Sequence, residues 1–544
     1  MKLNYKRTLL VGFAFFLICA FWQVYDSIIP LTLTNKFGLS QTASGFVMVI
    51  DNVLALFMLP LFGAISDRHN GRFGKRTPFI VVGTILAAVL FVGLSFADNA
   101  QLKNISEYAK IDDPATLQLV YEKQADTKLM TPDGEQFILS DKFELESFCS
   151  VTSTLDKKDG RLYRPDGSEY TLALEDEEQK TADRVADGKS FTNPHYTNYV
   201  APAQQACCRE VMKQSPGALI VFLVILVLVL IAMAIFRSPA VALMPDVTIK
   251  PLRSKANAVI NLMGSFGGIL VLVLGMVFAT SGIKNAFMSY TGYFAIVAGI
   301  MLVSLTIFLV FVREKKFARE MREESKKYGI EEDADDESGE RKLTKPELRS
   351  LILLLASVAL WYMGYNAVTS KYSVYANKVL NQDYNLTLII AQAAAIVSYL
   401  PIGMLSSKLG RKKAILGGVV ILTAAFSLAS LLRANSSTVV MYILFALAGI
   451  GWASINVNSF PMVVEMSRGS NIGKYTGFYY TASMAAQAVT PWLSGMLMDK
   501  LGMTTLFPYG AMFVALAFVT MLLVRHGDSK PEAAKGLEAF DVED

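Results

Sequence analysis

Long apolar runs alternate with short charged stretches along most of this chain. A buried helix of a soluble protein would need only about 10–14 apolar residues, whereas a bilayer core of about 30 Å needs about 20. Twelve runs reach that greater length: 8–33, 41–65, 77–97, 217–241, 256–281, 287–313, 348–370, 384–407, 413–433, 438–460, 472–498 and 504–525. The pattern therefore predicts twelve transmembrane helices.

Composition supports a membrane protein, and the residue types present argue against an enzyme or an ATP-driven pump. Hydrophobic residues make up 53% of the chain and the mean hydropathy is +0.39. The start, MKLNYKRTLLVGF, has no small-residue cleavage site and is typical of a basic first-span start rather than a cleaved signal peptide. The three histidines show no metal-ligand spacing, and no Gly-rich phosphate loop occurs. We therefore expect neither an enzyme nor an ATP-driven pump, and no nucleic-acid partner.

Basic residues indicate the orientation, because Lys and Arg in short loops stay on the cytoplasmic side. With the amino terminus inside, the four short inner loops hold fourteen of them and the five short outer loops hold six. The inner set is Arg68, Arg72, Lys75, Arg76, Arg237, Lys250, Arg253, Lys255, Lys408, Arg411, Lys412, Lys413, Arg468 and Lys474. Both termini are predicted to be cytoplasmic, in a multi-pass protein of the cell (inner) membrane.

Two long polar segments divide the chain. The predicted organisation is 1–97 for helices 1–3, 98–215 for an outer insertion, 216–313 for helices 4–6, 314–347 for a cytoplasmic linker, 348–525 for six further helices and 526–544 for a cytoplasmic tail. The linker is rich in both acids and bases, which is typical of a solvated helix and connector.

The insertion carries 14 Lys and Arg against 22 Asp and Glu. Its near copies KLMTPDGEQFIL (128–139) and RLYRPDGSEYTL (161–172) place Pro-Asp-Gly between alternating stretches, which predicts β-hairpins. A disulfide is permissible on this side, from Cys149 to either Cys207 or Cys208. A lid, a dock for a protein partner and a stabilising element all fit the composition of the insertion.

The two sets of six helices repeat each other at three landmarks in the same order. These are GAISDRHNGRFGKR (63–76) with GMLSSKLGRK (403–412), FWQVYD (21–26) with WYMGYN (361–366), and RSPAVALMPD (237–246) with NSFPMVVE (458–465). Duplicated halves are a transporter architecture in which the substrate binds between the halves, near mid-membrane.

Three segments resemble a known superfamily. The loop GAISDRHNGRFGKRTPF (63–79) is similar to the signature loop of major facilitator superfamily transporters. The spacing of residues in this loop is similar to that in the glycoside–pentoside–hexuronide and sucrose–proton symporter group. The segments FRSPAVALMPDV (236–247) and WYMGYNAV (361–368) also resemble that group. The resemblance implies an all-α polytopic protein of the major facilitator fold. It would have twelve transmembrane helices in two pseudo-symmetric halves, and a small hairpin-containing extracytoplasmic insertion between helices 3 and 4.

Acids inside the spans are candidates for proton coupling, because a charge at mid-membrane is costly unless it faces a cavity or a partner. Asp26 in the first span and Asp51 in the second qualify. We expect Asp51 to carry the proton, with Asp26 as second carrier or substrate acceptor; either could instead be a hydrogen-bonded structural acid. By resemblance, sodium-coupled relatives carry carboxylates where this chain has Ala55 and Leu59, so a proton gradient is favoured over sodium, without any cofactor.

Polar and aromatic residues inside the spans are candidate substrate contacts, because sugars bind through hydroxyl hydrogen bonds and stacked ring faces. The set is Trp22, Gln23, Tyr25, Asp26, Asn52, Asn261, Trp361, Tyr365, Asn366, Gln392, Trp452, Asn456, Asn458 and Gln487. Each could also be an interhelical packing residue. Since no Lys or Arg stands out as central in a span, the set suggests a neutral, hydroxyl-rich substrate.

The resemblance also implies a conformational latch at the inner ends of the helices. Asp67 would lie near the start of the eleventh span, and Arg76 would pair with Asp246. In the second half, Arg411 or Lys412 would pair with Glu465, more loosely because Ser407 stands where an acid is expected. Arg68 belongs to the same group, and all these charges could instead only set topology.

The sequence as a whole predicts a proton-coupled importer of a di- or oligosaccharide or glycoside that works by rocking of its two halves in the lipid bilayer. Two alternatives remain open at this point. One is a proton-coupled exporter of a small organic molecule, for which Asp26 could bind a cation. The other is a ligand sensor, in which the insertion binds the ligand.

Overall fold

The fold is seen in a computed structural model, which describes residues 3–69, 71–249, 252–328, 343–434, 436–466 and 472–527. It is mostly helical, as the sequence predicts. Of the predicted linker and tail, residues 329–342 and 528–544 lie outside the described residues.

Six long helices form the first half. They are α1 (Tyr5–Leu31), α2 (Gln41–Arg68), α3 (Thr77–Asn104), α9 (Gly217–Asp246), α10 (Arg253–Val277) and α11 (Thr291–Phe311), followed by the shorter α12 (Glu314–Lys327). Side-chain caps fix two of the starts: Asn4 accepts the Arg7 N–H at 3.1 Å and Ser40 accepts the Ala43 N–H at 3.2 Å. A π-helical turn, Thr32–Lys36, extends α1.

Six further helices form the second half. They are α13 (Lys345–Tyr375), α14 (Tyr384–Leu409), α15 (Arg411–Ala429), α16 (Thr438–Glu465), α17 (Ile472–Leu501) and α18 (Leu506–Leu523). A reciprocal capping box of Thr344 and Glu347 starts α13, which a π-helical turn at Ala376–Leu380 extends. Gly410, at φ +94°, makes the break between α14 and α15, a backbone conformation that favours glycine.

Of these twelve long helices, ten in the described part of the chain are both long and apolar enough to cross a membrane. The apolar part of α14 is the shorter stretch Tyr384–Tyr399. Each half has its own hydrophobic core. In the first half α1 packs on α10 and α3 on α9; in the second, α13 packs on α18 and α15 on α16. Across the halves, α2 packs on α17.

The residues between α3 and α9 form a small separate layer. Its helices are α4 (Pro114–Gln124), α5 (Leu139–Lys142), α6 (Leu145–Cys149), α7 (Asp176–Asp183) and α8 (Ala201–Gln214), and its strands are β1 (Lys128–Met130), β2 (Gln136–Ile138), β3 (Thr154–Lys158), β4 (Arg161–Tyr163) and β5 (Ser190–Thr192). β1 pairs antiparallel with β2, and β3 pairs antiparallel with β4 and β5. Both Pro-Asp-Gly segments lie in turns, the second closed by a bridge from Tyr163 to Glu169.

The insertion has two small hydrophobic cores of its own. Cys149 and Cys207 belong to the first of these, and Cys207 and Cys208 are buried in α8. All three cysteines are free thiols, so the disulfide permitted by the sequence is absent. Burial raises the pKa of Cys207 to about 12 and also raises the pKa of Cys208, which keeps both thiols protonated at neutral pH.

A buried contact between a carboxylate and a histidine links α7 to the segment before α8. Glu178 Oε2 lies 3.1 Å from His195 Nε2, with both side chains 4% exposed, and Asn198 donates to Glu178 at 2.9 Å. Tyr170 Oη lies 2.8 Å from the other ring nitrogen of His195. Burial acts to raise the pKa of Glu178, but the hydrogen bonds from His195 and Asn198 outweigh burial, and the pKa is lowered.

We expect Glu178→Gln to destabilise the insertion by about 2 kcal/mol at neutral pH, because the substitution removes the buried carboxylate that accepts hydrogen bonds from His195 and Asn198. The pKa of Glu178 is lower in the folded protein than in the unfolded chain. The ionised carboxylate therefore stabilises the folded insertion at pH values above the ordinary pKa of 4.5, and this stabilisation is lost as the pH falls through the pKa of the folded state. Hydrogen exchange of peptides from the insertion, in the intact protein, measures the effect. The exposed Glu177→Gln is the control; equal protection of both variants at pH 7 would refute the role of the pair.

Candidate functional site

The two halves are joined at the side that carries the insertion, here called the insertion side. Asp499, near the end of α17, accepts the backbone N–H groups of Gln41 and Thr42 at 2.8 and 2.7 Å and the Thr42 hydroxyl at 2.5 Å. Lys371 of α13, fully buried, donates to the Gln41 carbonyl at 2.8 Å. The start of α2 is therefore held by two helices of the second half.

Other contacts at this side also cross between the halves. Tyr384 Oη lies 2.6 Å from the Thr280 hydroxyl, and Asn377 donates to the Ser281 carbonyl at 2.9 Å. At the opposite ends of the helices, the pairs Arg7–Glu320, Arg76–Asp246 and Arg411–Glu465 each lie within one half. The structure is thus closed at the insertion side.

The insertion bridges this closed side. On the first half, Arg209 of α8 donates to the Gly38 carbonyl at 2.8 Å. On the second half, Lys378 donates to Gln205 of α8 at 2.7 Å. The β1–β2 turn docks before α18, where Met503 N–H donates to the Pro132 carbonyl at 2.7 Å.

A buried ion pair fixes the end of α1 at the same side. Lys36 Nζ lies 2.6 Å from Asp98 of α3, with both side chains 0% exposed. Lys36 also donates to the Met288 carbonyl at 2.7 Å and lies 4.0 Å from the centre of the Tyr290 ring. Although the sequence places Lys36 in a short outer loop, the structure makes it a structural residue of the helix ends.

Both predicted in-span acids lie in the first half, in one electrostatic cluster. Asp26 and Asp51 are partly accessible and interact with each other, and the buried Tyr25 interacts with both. Asn52 donates to Asp51 at 2.8 Å. Tyr25 Oη has no hydrogen-bond partner in the described residues, so it can offer a hydrogen bond to a bound molecule.

Arg237 is the functional candidate that the sequence analysis missed. It was assigned to an inner loop, but it lies within α9, about two and a half turns before the last residue of that helix. Its guanidinium lies 5.5 Å from the centre of the Trp22 ring and its charge acts on Asp51. A cation therefore does lie inside a span. The signal in the sequence was the apolar run itself, which continues on both sides of Arg237.

One hydrogen bond joins predicted substrate residues from the two halves. Gln392 of α14 donates to Gln23 of α1 at 2.8 Å, and Gln23 donates to Ser27 at 3.2 Å. Gly268 of α10 lies beside both amides, where a Cβ would stand 3.4 Å from Gln392 and 3.6 Å from Gln23. The amides thus meet at the interface between the halves.

The second half contributes an aromatic cluster. Tyr365 of α13 stacks on Trp452 of α16 with ring centres 3.7 Å apart and an interplanar angle of 3°. Tyr362 meets the same indole edge-on at 5.2 Å and lies 3.4 Å, oxygen to oxygen, from Tyr479 of α17. Tyr362 and Tyr479 were not predicted from the sequence.

The remaining predicted contacts divide between partly accessible and buried positions. Asn366 and Gln487 are partly accessible, and Asn261 lies on α10. Trp361 is fully buried in the core of the second half, and its indole N–H has no hydrogen-bond partner in the described residues. Asn458 is also buried and donates to the Ser454 carbonyl at 2.8 Å. Asn456 is 7% exposed, and its side-chain oxygen has no partner in the described residues.

The expected pairs of Arg76 with Asp246 and of Arg411 with Glu465 are present, at the ends of the helices opposite the insertion. Arg76 Nε lies 2.8 Å from Asp246, and the same guanidinium contacts Asp67. Glu314, at the start of α12, was not predicted: it accepts the N–H groups of Lys75 at 2.5 Å and of Thr77 at 2.8 Å. The loop 71–76 is thus held by α9 and α12 together.

The second half has a corresponding pair. Arg411 contacts Glu465, and Lys412 donates to the Leu522 carbonyl at 2.9 Å. Arg68 is exposed and makes no ion pair with another described residue. The expected contact of Asp67 with the start of the eleventh span falls partly outside the described residues, since residues 467–471 are not among them.

Sequence comparisons give a family. The family model described as Major Facilitator Superfamily matches residues 11–105, 207–397 and 381–542. The uncharacterized symporter YnaJ of Bacillus subtilis is 34% identical over 73 residues, 13% of this chain and 16% of that protein. The proton-associated sugar transporter A of Mus musculus is 37% identical over 73 residues, 12% of this chain and 10% of that protein. The chain therefore spans less than a third of the length of these curated relatives.

Solved structures agree on the fold. The inward open conformation of the xylose transporter XylE from E. coli matches with a TM-score of 0.54 at 14% identity, over 97% of this chain and 98% of that one. A bacterial homologue of the iron transporter ferroportin in its inward-facing state matches with a TM-score of 0.55 at 12% identity, over 96% and 99%. With twelve long helices in two halves among its described residues and a family match over most of its length, the chain belongs to the Major Facilitator Superfamily.

Proposed function

We propose that the protein is a proton-coupled importer of a neutral sugar, a di- or oligosaccharide or a glycoside, and works by alternating access. The observation that carries the proposal is the division of chemistry between the halves. The first half holds the acids Asp26 and Asp51, and the second holds the stacked pair Tyr365 and Trp452. Sugar rings stack on such faces, and carboxylates accept hydrogen bonds from sugar hydroxyls. The sugar and symporter names of relatives are in keeping with this substrate class.

Asp51 is the proposed proton carrier, with Arg237 as its counter-charge. When Asp51 is ionised, the nearby guanidinium stabilises the carboxylate inside the bundle. When Asp51 binds a proton, the positive charge of Arg237 loses its partner and can attract a substrate oxygen. Proton binding and substrate binding would thereby favour each other, which is what symport requires.

In the proposed alternating-access cycle, the insertion side opens and the inner ends of the helices close. We take the inner side to be cytoplasmic, with both termini there, in the cell membrane. The insertion-side contacts of Asp499 and Lys371 would have to open. The pairs Arg76–Asp246 and Arg411–Glu465 hold each half rigid at the inner ends and form the proposed latch.

Asp51→Asn is expected to abolish uphill uptake and leave equilibration, because the amide cannot carry a proton. The measurement is uptake of labelled α-linked disaccharides into proteoliposomes with an inward proton gradient. Asp187→Asn, an exposed acid of the insertion, is the matched control and should accumulate sugar like the wild type. Gradient-driven accumulation by Asp51→Asn would contradict its role as carrier, and the absence of sugar transport in wild type would contradict the substrate class.

Arg76→Gln is expected to slow sugar exchange about tenfold, since loss of one charged, partly buried hydrogen bond costs about 1.4 kcal/mol. The physical reason is that the loop 71–76 and the end of α9 would no longer move together. Exchange rates per folded protein are compared with those of Arg161→Gln, an exposed arginine of the insertion. If the two variants exchange sugar at the same rate, the charges set topology only.

A further inference from the structure

A cavity with several charged and amide groups in its wall lies away from the in-span site. Its volume is about 410 Å³, and it lies between the insertion and the insertion-side ends of both halves. Its walls include the start of α2, strand β1, helix α8, the turn that extends α13 and the end of α17. This volume falls in the range of small-molecule sites.

Cations dominate the charge of this cavity. Lys128, Arg209 and Lys378 line it, and Arg209 and Lys378 are close enough to repel each other. Their observed hydrogen bonds go to neutral acceptors, the Gly38 carbonyl for Arg209 and the Gln205 amide for Lys378. Among the described residues, none of the three cations lies within 4.0 Å of a carboxylate.

The acid in the wall, Asp499, is already engaged by hydrogen-bond donors of α2. Both carboxylate oxygens of Asp499 are engaged by the N–H groups and the hydroxyl at the start of α2, at 2.5 to 2.8 Å. Lys371 is fully buried just behind this wall and donates to the Gln41 carbonyl at 2.8 Å. Clustered cations inside a protein are normally paired with anions. An excess of them around a cavity therefore indicates a site for an anion.

Amides supply the remaining polar surface. Gln41 lines the cavity with its side chain 5% exposed, and its side-chain oxygen has no hydrogen-bond partner in the described residues. Asn35, Asn377, Gln136 and Gln205 also line it. Amide groups both donate and accept hydrogen bonds, which suits a ligand with several hydroxyls.

We propose that this cavity binds a small polyhydroxylated anion, with its carboxylate or phosphate held by Lys128, Arg209 and Lys378 and its hydroxyls by the neighbouring amides. Because both halves and the insertion form the walls, the ligand binds most tightly when they are together. Its binding therefore favours the conformation closed at the insertion side. The site differs from the in-span site in position and in charge.

The test is equilibrium binding of labelled D-gluconate to the intact protein in phosphatidylcholine nanodiscs. Sorbitol, which replaces the carboxylate of gluconate by an uncharged alcohol, is the matched ligand. Gluconate should bind at least about tenfold more tightly than sorbitol, and Lys378→Gln and Lys128→Gln should each weaken it about tenfold. Lys158→Gln, an exposed lysine elsewhere in the insertion, is the control and should bind as the wild type does.

The variant Arg237→Gln distinguishes gluconate binding in the cavity from gluconate binding at the in-span site. Gluconate binding that this variant retains, and that the Lys378 and Lys128 variants lose, supports the proposal. Binding lost in Arg237→Gln and kept in both lysine variants would overturn it, as would equal affinity for gluconate and sorbitol or no binding of gluconate. A second arm adds phosphatidylglycerol to the nanodisc. If the added lipid competes with gluconate, a lipid headgroup supplies the anionic polyol; if it does not, the ligand is a free solute.

Discussion

The contact between Asp499 and the start of α2 is the constraint on which the arrangement of the halves depends. A carboxylate at a helix amino terminus satisfies backbone N–H groups that lack helical partners and favours the positive end of the helix dipole. Here the carboxylate that caps α2 comes from the other half. The interaction that caps this helix therefore also closes the insertion side. Glycine permits the close approach: a Cβ on Gly45 would stand 2.0 Å from the Pro491 carbonyl oxygen.

The insertion extends this closure rather than forming a separate body. Helix α8 contacts the first half through Arg209 and the second through Lys378, and the β1–β2 turn docks at Met503. Because opening the insertion side must separate Asp499 from α2, it must also disturb these bridges. The in-span chemistry lies below this closed side, with the acids on one half and the aromatic cluster on the other.

Sequence patterns predicted the features that neighbouring residues in the chain determine, and missed the contacts that arise when distant segments pack together. Hydropathy predicted twelve long helices, the Pro-Asp-Gly segments predicted turns, and the resemblance named Arg76 and Asp246 as partners. The roles of Arg237 and of Lys36 with Asp98 were missed. The apolar run on both sides of Arg237 indicated a place inside a span, but only packing shows which neighbouring groups these charges meet. The burial of Trp361 and the free thiols were likewise set by tertiary contacts. Glu314 caps the start of α3, which is distant from it in sequence, so no local pattern could indicate that contact.

The most direct test of the central claim is the movement of protons that sugar itself drives. Proteoliposomes with no imposed gradient are placed in a weakly buffered medium, an α-linked disaccharide is added outside, and the external pH is recorded together with sugar entry. A symporter carries protons inward with the sugar, so the external pH is expected to rise in step with uptake, and a protonophore should abolish the rise. Sugar entry at constant external pH would contradict proton coupling, and a fall in pH would indicate exchange of sugar for protons instead.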